Sequence, residues 1–396
     1  MSRHVLVLNA GSSSIKYRAI DVDDNTVPAH GLIERVGEPS GSIHHRGPDG
    51  ELQTDRDFPD HEHALRAALS AFEQVGPSLT ETALIAVGHR VVHGGDTFSQ
   101  PVVIDDDVVE AIERLVPLAP LHNPANLRGI TVARRLFADV PQVAVFDTAF
   151  HQSLPPHAYT YAVPQKWRTQ YDVRRYGFHG ISHDLVSRTA AETLGRDPRT
   201  TNLIVLHLGN GASATAVAGG RSVDTSMGLT PLQGLVMGTR SGDIDPAIIA
   251  HLQRSAGWSI TAIDNALNHS SGLLGLSGHN DLREVHRLAD SGDDAAALAL
   301  DVYCYRIRTY VGAYYAALGH LDAVVFTAGV GENDARVRAR SLAGLEELGL
   351  EIDDDRNGED ADHARIISPD TARVATLVVP TDEELEIATQ AVALLA

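Results

Sequence analysis

Two segments of the chain share one pattern of apolar and polar positions. In each, an apolar run typical of a buried strand leads into a turn of glycine, serine or asparagine, and a second run of strand character follows. The first copy begins at Val5 and turns at Gly11, and the second begins at Leu203 and turns at Gly209 and Gly211. Glycine permits a tight turn close to a ligand, and Ser and Asn side chains can meet phosphate oxygens. The pattern predicts one phosphate-binding hairpin in each half of the chain.

The remaining pattern predicts alternating helices and strands. A new series of elements begins after residue 150, which indicates a second domain. Residues 37–60 are rich in Gly, Pro, Asp and His and are predicted to form a surface excursion. A third glycine turn, over residues 328–333, follows a buried strand and is predicted to precede a helix, an arrangement that suits nucleotide binding. Apolar spacing predicts strands over residues 84–87, 143–146 and 323–327, and helices over residues 61–75, 105–115, 124–137, 183–194, 246–256, 295–317, 334–348 and 382–394.

Two common nucleotide-binding motifs do not fit these turns. A Walker loop needs a second glycine before its lysine, and the segment from Gly11 to Lys16 lacks it. Gly209, Gly211 and Ala214 match the spacing of a dinucleotide fingerprint, but a hairpin follows them instead of a helix, and no acidic residue lies about twenty positions further on. The duplicated strand, turn and strand pattern is therefore the better guide to the fold.

Composition and charge narrow the classes of function. A chain of 396 residues with 43% hydrophobic content can bury two sizeable cores. The formal net charge of -20 disfavours non-specific binding to nucleic acid or anionic membranes, so local positive charge must hold any anionic ligand. Cys304 is the single cysteine, which excludes an intramolecular disulfide. Since no apolar run is long enough for a membrane span and the first residues lack a signal-peptide pattern, we expect a soluble cytoplasmic protein.

Ordered motifs lie along the whole chain, in both halves rather than at one site. The motifs are Asn9-Ala-Gly-Ser-Ser-Ser-Ile-Lys16, Gly88-His-Arg-Val-Val-His-Gly-Gly95, Leu118-Ala-Pro-Leu-His-Asn-Pro-Ala-Asn126, Phe146-Asp-Thr-Ala-Phe-His151, Arg175-Tyr-Gly-Phe-His-Gly180, His207-Leu-Gly-Asn-Gly211, Met237-Gly-Thr-Arg-Ser-Gly-Asp-Ile-Asp-Pro246, Phe326-Thr-Ala-Gly-Val-Gly-Glu-Asn333 and Pro380-Thr-Asp-Glu-Glu-Leu385. Together they resemble the acetate and propionate kinase family, which has the actin-like fold of sugar kinases and Hsp70-type ATPases.

The resemblance implies an α/β, duplicated, actin-like (ribonuclease H-like) fold with two domains and an interdomain cleft. Residues 1–149 with 384–396 would form the metal- and phosphate-handling domain, and residues 150–383 the nucleotide-binding domain with the dimer contacts. The implied reaction is reversible, Mg²⁺-assisted, in-line phosphoryl transfer from ATP to acetate, giving acetyl phosphate and ADP and linking acetyl-CoA and acetate metabolism to ATP. Mn²⁺ is expected to substitute for Mg²⁺, and a homodimer is expected.

Phosphoryl transfer needs cations that neutralise the spread negative charge of the transition state. A guanidinium suits this task because it stays charged and presents paired donors. The resemblance implies that Arg90 contacts the substrate carboxylate, that Arg240 stabilises the transition state, and that His179 donates to the same charge. It also implies a small apolar pocket at Val92, Leu121 and Pro231 for the acetate methyl group, with His122 as a further substrate-binding residue.

Asp147 has two possible roles. It ends an apolar strand, where a carboxylate is costly without a partner. The resemblance assigns it proton transfer, but a substrate carboxylate is already ionised at neutral pH, which favours an organiser of Mg²⁺ and its waters.

The resemblance also implies the metal and nucleotide contacts. Asn9 and Glu383 would meet the metal through oxygen atoms, which Mg²⁺ prefers, although the adjacent Glu384 leaves open which acid does so. The histidines at 44–45 and 61–63 are expected to be solvated loop residues. The implied ATP contacts are Ser14, Lys16, His207, Leu208, Gly209, Asn210, Gly211, Asp281, Leu282, Arg283, Gly329, Val330, Gly331, Glu332 and Asn333.

Other functions remain open at this stage. Propionate or butyrate kinase would run the same reaction on a longer acid, and one methylene changes discrimination by only about 1–3 kcal/mol. A non-catalytic actin-like ATPase switch belongs to a different class, because fold does not fix function. Such a switch would lack the paired Arg90 and Arg240, and it would release ADP without forming an acyl phosphate.

Overall fold

In the computed structural model, which describes residues 3–79 and 83–396, the chain forms two compact units. The first unit contains Met1–Phe150 and Asp382–Ala396, and the second contains His151–Thr381. The segment that ends the chain therefore belongs to the first unit.

An eight-stranded sheet organises the first unit, with the strand order β5-β4-β3-β2-β1-β6-β8-β7. The neighbours β1 and β2 form the antiparallel hairpin predicted from the sequence, whereas β6 runs parallel to both β1 and β8. The strands are β1 (Arg3–Ala10), β2 (Ser14–Asp21), β3 (Thr26–Glu34), β4 (Ser42–Gly47), β5 (Gly50–Asp55), β6 (Ala83–Val91), β7 (Val102–Val103) and β8 (Gln142–Phe146).

Helices cover the apolar side chains of this sheet: α1 (His61–Val75), α2 (Asp106–Arg114) and α3 (Asn123–Leu136). Helix α1 begins where the Asp60 carboxylate accepts a hydrogen bond from the His63 amide, and it ends at Gly76, which has a φ of 67°. Its buried residues Leu65 and Phe72 pack into one core with strand residues such as Ile15.

A six-stranded sheet organises the second unit, with the order β11-β10-β9-β12-β14-β13. The strands are β9 (Asn202–Leu208), β10 (Ala212–Ala218), β11 (Arg221–Thr225), β12 (Ala323–Thr327), β13 (Arg365–Ile366) and β14 (Ala375–Val378). Three antiparallel strands, β11-β10-β9, continue into the parallel pair β12 and β14, just as β3-β2-β1 continue into β6 and β8. The α/β class and its duplication, both implied by the resemblance, are confirmed.

The second unit carries most of the helices, and the last helix of the chain belongs to the first unit. Among the described residues no helix is both long and apolar enough to span a membrane. The helices are α4 (Pro156–Tyr159), α5 (Gln165–Tyr171), α6 (Gly180–Thr193), α7 (Ala247–Ala256), α8 (Ile260–His269), α9 (Gly272–Ser277), α10 (Leu282–Asp290), α11 (Asp294–Leu318), α12 (Ala328–Asn333), α13 (Ala335–Leu342), α14 (Asp354–Asn357) and α15 (Glu383–Leu395).

Two predicted segments have a different structure. Residues 37–60 contain the antiparallel strands β4 and β5, which extend the first sheet. The prediction of a surface excursion without strands was wrong because these outer strands carry many exposed polar side chains and lack a buried apolar run. The glycine turn at 328–333 is itself the short helix α12. The helix predicted over 334–348 is α13, which Asp334 caps at its start and which ends at Leu342, two residues before Gly344 with a φ of 81°.

Two of the histidines expected to be solvated, His45 and His61, differ from the prediction, whereas His44 and His63 are exposed as expected. His45 lies on β4, is fully buried, and its Nδ1 lies 2.9 Å from the hydroxyl oxygen of Tyr17. His61 begins α1, is also buried, and its Nε2 donates to the carbonyl oxygen of Gly11 at 2.8 Å. The first glycine turn is therefore held by a side chain that the sequence pattern assigned to solvent. Burial lowers the pKa of both imidazoles.

Packing around Tyr17 gives a test of this sheet. Gly31 on β3 lies opposite Tyr17, and a Cβ atom added there would lie 2.3 Å from the Tyr17 hydroxyl oxygen and 2.8 Å from the carbonyl oxygen of His44. We expect Gly31→Ala to lower the free energy of unfolding by about 1–3 kcal/mol, because overpacking forces neighbouring atoms to shift. Urea unfolding followed by circular dichroism measures this. Gly312→Ala, in α11 with no atom within 4 Å of the new Cβ, is the control and should be neutral or stabilising; equal losses would contradict the packing argument.

Candidate active site

The carboxyl ends of the parallel strands in the first unit bring three predicted residues together. Leu8 of β1 pairs with His89 of β6, so Asn9 and Arg90 follow on adjacent strands. Arg90 in turn pairs with Val145 of β8, and Asp147 comes directly after the end of that strand. In α/β sheets, ligands bind outside the carboxyl ends of parallel strands.

Arg90 forms two ion pairs at this edge. Its Nε and Nη2 donate to Oδ1 and Oδ2 of Asp147 at 3.0 and 2.9 Å, and its Nη1 lies 2.9 Å from Oε2 of Glu383. The Arg90 side chain is only 20% exposed. Burial by itself would lower the pKa of Arg90, but the carboxylates of Asp147 and Glu383 outweigh that effect and raise it. The guanidinium is thus fixed in position and in charge.

The pairing gives Asp147 a role that the sequence did not indicate. Both of its carboxylate oxygens accept hydrogen bonds from Arg90 in a bidentate arrangement. Neither proton transfer nor the organisation of metal-bound water, the two roles expected from the sequence, involves Arg90. The sequence signal for the pairing is that both residues lie at the carboxyl ends of predicted strands.

Two further cations of the first unit are paired with acids at the start of α15. Nζ of Lys16 lies 2.5 Å from Oε1 of Glu384, and Nη1 of Arg18 lies 3.0 Å from Oδ1 of Asp382. Burial opposes ionisation of Glu384, but the hydrogen bond from Lys16 lowers its pKa overall. Glu383 and Glu384 therefore have different partners, since Glu383 faces Arg90.

The oxygen donors of this edge fit a magnesium ion. Asn9, Asp147 and Glu383 offer amide and carboxylate oxygens, the hard ligands that Mg²⁺ prefers. Among the described residues no group of three or more His, Cys, Asp or Glu side chains forms a metal cage. Mg²⁺ is commonly held by one or two carboxylates together with waters and substrate phosphates, so such a cage is not required.

The predicted methyl-pocket residues are divided between the two units. In the first unit, the amide of Val92 donates to Oδ1 of Asn126 at 3.1 Å, Leu121 is 53% exposed, and His122 precedes α3. Pro231 belongs to the second unit, where its carbonyl oxygen accepts a hydrogen bond from Arg240.

In the second unit, the turn from Gly209 to Gly211 joins β9 to β10, as predicted. The Gly209 amide donates to the carbonyl oxygen of Gly211 at 3.1 Å, which closes the turn. A Cβ atom at Gly211 would lie 3.4 Å from Nη2 of Arg240 and 3.6 Å from Nε2 of His179. The structure thus brings the predicted transition-state arginine and histidine together beside the glycine turn.

Arg240 differs from Arg90 because no carboxylate pairs with it among the described residues. It is largely buried, its Nη1 donates to the Pro231 carbonyl oxygen at 2.7 Å, and burial lowers its pKa. Its segment is held by backbone contacts, since the Leu273 amide donates to the Met237 carbonyl oxygen at 2.9 Å. A buried cation without a counter-ion is costly, which favours binding of an anion there.

His179 is held in an uncommon conformation. Its φ is 57°, in the left-handed region that side chains other than glycine seldom adopt. Its Nδ1 lies 2.9 Å from Oγ of Ser213, and its ring stacks on that of His207 with centroids 4.2 Å apart. Nδ1 of His207 lies 2.8 Å from Oγ of Ser182. The serine partners of both histidines escaped the sequence analysis because they lie on other elements.

Three other predicted nucleotide contacts, Glu332, Asp281 and Arg283, have partners within the second unit. Oε1 of Glu332 accepts hydrogen bonds from the amides of Ala328 at 2.8 Å and Thr381 at 3.1 Å, so this oxygen stabilises the third turn. Asp281 caps α10 and pairs with Arg283 at 2.6 Å, and the Arg283 hydrogen bonds lower the pKa of Asp281 to about 2.

Comparison with known proteins identifies the family. The model of the Acetokinase family matches residues 4–389 of this chain. The acetate kinases of Streptomyces avermitilis and Clavibacter michiganensis are each 58% identical to this chain; the matches cover 98% of this chain and 97% and 98% of those proteins. The crystal structure of Porphyromonas gingivalis acetate kinase superposes with a TM-score of 0.95 at 42% identity over 100% of both chains. The crystal structure of a propionate kinase from Francisella tularensis superposes with a TM-score of 0.92 at 42% identity, and the match covers 98% of this chain and 99% of that one. The chain belongs to the Acetokinase family.

Proposed function

We propose that this chain catalyses reversible phosphoryl transfer between ATP and acetate, giving acetyl phosphate and ADP. The observation that carries the proposal is Arg240, a largely buried guanidinium without a carboxylate partner among the described residues. It borders a glycine turn together with Nε2 of His179. Two donors that converge on bare backbone suit a phosphoryl group whose charge spreads in the transition state.

The first unit supplies the groups for the carboxylate and the metal. All three nitrogen atoms of Arg90 contact Asp147 or Glu383, and because Nη1 and Nη2 each carry two N–H groups, the second N–H of each would bind the acetate carboxylate. Asp147 holds Arg90 in place and does not act as a strict general base. Asn9 and Glu383 would hold Mg²⁺, which neutralises phosphate charge when it is bound.

The nucleotide contacts follow the glycine turns. Residues 207–211 and 329–333, with Ser14 and Lys16, would meet the phosphates, because bare backbone can approach them closely. Asp281, Leu282 and Arg283 would lie near the adenosine.

Acetate is the proposed acceptor because the relatives that are 58% identical to this chain are named acetate kinases. A propionate kinase structure matches at 42% identity, the same identity as an acetate kinase structure, so we propose that propionate is a slower alternative substrate. Substitution of Mn²⁺ for Mg²⁺, a homodimer and a cytoplasmic location stay predictions.

Trapping of the product tests the activity. The protein is incubated with MgATP, hydroxylamine and acetate, propionate or butyrate, and acyl hydroxamate and ADP are both measured. We expect equal amounts of hydroxamate and ADP, with most product from acetate. ADP without hydroxamate would replace this proposal with an ATPase switch, and a higher kcat/KM for propionate would change the substrate.

Loss of Arg240 tests the transition-state role. We expect Arg240→Ala to reduce kcat by about 10³-fold or more, as for removal of an arginine finger, because the variant loses a positive charge beside the glycine turn. Arg199→Ala is the matched control, since Arg199 is 85% exposed and pairs with Asp197, two residues away. A loss below about tenfold for Arg240→Ala would reduce the residue to a structural role.

Two adjacent acids test the metal assignment. Glu383→Gln should raise the Mg²⁺ concentration for half-maximal activity by about tenfold or more. Even mutation of a residue that only hydrogen-bonds a metal ligand commonly lowers metal affinity or activity by about that factor. Glu384→Gln is the comparison, because its carboxylate pairs with Lys16, and we expect a smaller Mg²⁺ effect. Initial rates over a Mg²⁺ titration measure both variants, and a larger shift for Glu384→Gln would reverse the assignment.

A further inference from the structure

A single buried hydroxyl lies between two histidines of the second unit. Oγ of Ser213, on β10, is 2.9 Å from Nδ1 of His179 and 2.8 Å from Nε2 of His183. Ser213 and His183 are both fully buried. No other partner of this hydroxyl occurs in the described part of the chain.

A hydroxyl has one proton, so it can donate to only one of the two rings. If Ser213 donates to His183, that ring must carry its own proton on Nδ1, which is buried and lacks a partner among the residues described. If both rings donate to Ser213, the serine proton is left without an acceptor. A buried donor without a partner costs about 1–3 kcal/mol.

One arrangement gives an acceptor to both protons shared through this hydroxyl. Nε2–H of His183 donates to Ser213, and the hydroxyl of Ser213 donates to Nδ1 of His179. His179 then carries its proton on Nε2, the atom that borders Gly211 together with Arg240. Within the described part of the chain, Nδ1 of His183 is then a bare acceptor and not a donor without a partner. Burial lowers the pKa of His183 well below its usual value, which agrees with a neutral ring.

We propose that Ser213, oriented by His183, is a positioning residue that keeps the proton of His179 on Nε2, where it can donate to the transferred phosphoryl group. The catalytic part of this inference rests on the proposed function, whereas the position of the proton does not. The strained φ of 57° at His179 fits the same role, since it fixes the backbone from which the ring reaches Ser213.

Nuclear magnetic resonance tests the proton position without substrate. Long-range ¹H–¹⁵N correlation on protein labelled at histidine distinguishes the two neutral tautomers, and His179→Gln assigns the signal. We expect wild-type His179 to be protonated on Nε2. Protonation on Nδ1 would overturn the proposal.

Kinetics test the positioning role. Ser213→Ala should give a mixture of His179 tautomers and lower kcat and kcat/KM together by about tenfold, less than the roughly 10²–10³-fold cost of removing a transition-state donor. Ser187→Ala is the matched control, because this buried hydroxyl on α6 donates to the Asp184 carbonyl oxygen of its own helix, and it should leave kcat unchanged.

A second substitution guards against misfolding of the first. His183→Gln keeps an N–H group for Ser213, so it should retain the His179 tautomer and more activity than His183→Leu. Equal activity of Ser213→Ala and wild type, or a larger loss for His183→Gln than for His183→Leu, would overturn the proposal. Protonation on Nε2 without any hydroxamate in the trapping assay would support the tautomer and overturn the proposed function instead.

Discussion

Charge compensation is the constraint on which the site depends. A chain with a net charge of -20 that binds anions needs cations that its own carboxylates do not neutralise. The first unit pairs Arg90, Lys16 and Arg18 with acids, most of them at the start of α15. Those pairs fix the direction of each cation. In the second unit Arg240 has no such partner in the described residues, so its charge is available to a ligand.

Duplicated topology explains why both sets of groups lie at strand ends. Each sheet continues from an antiparallel hairpin into parallel strands, and parallel strands carry successive loops to the same edge. Asn9 and Arg90 are brought together in this way in the first unit. In the second unit, Gly211 at the end of its turn lies close to Arg240 and His179 because glycine has no side chain.

Several polar side chains hold other groups of the candidate site in position. Asp147 uses both oxygens on Arg90, Glu332 supports the third turn through backbone amides, and Ser213 connects two histidines. Buried polar groups of this kind must be paired, because a missing partner in a dry interior is costly. The same requirement lets a proton be assigned to Nε2 of His179 from its neighbours.

The sequence by itself determined the two hairpins, most helices and the family motifs, because apolar periodicity and turn residues are local properties. Helix α1 was predicted with its observed bounds, His61–Val75. Tertiary structure alone decided which groups meet. The contacts that bury His45 and His61, the pairing of Arg90 with Asp147 and Glu383, and the bridge through Ser213 join residues that are 28 to 293 positions apart. Such pairs leave no trace in local spacing, since strand register and packing, which bring them together, depend on the whole folded chain.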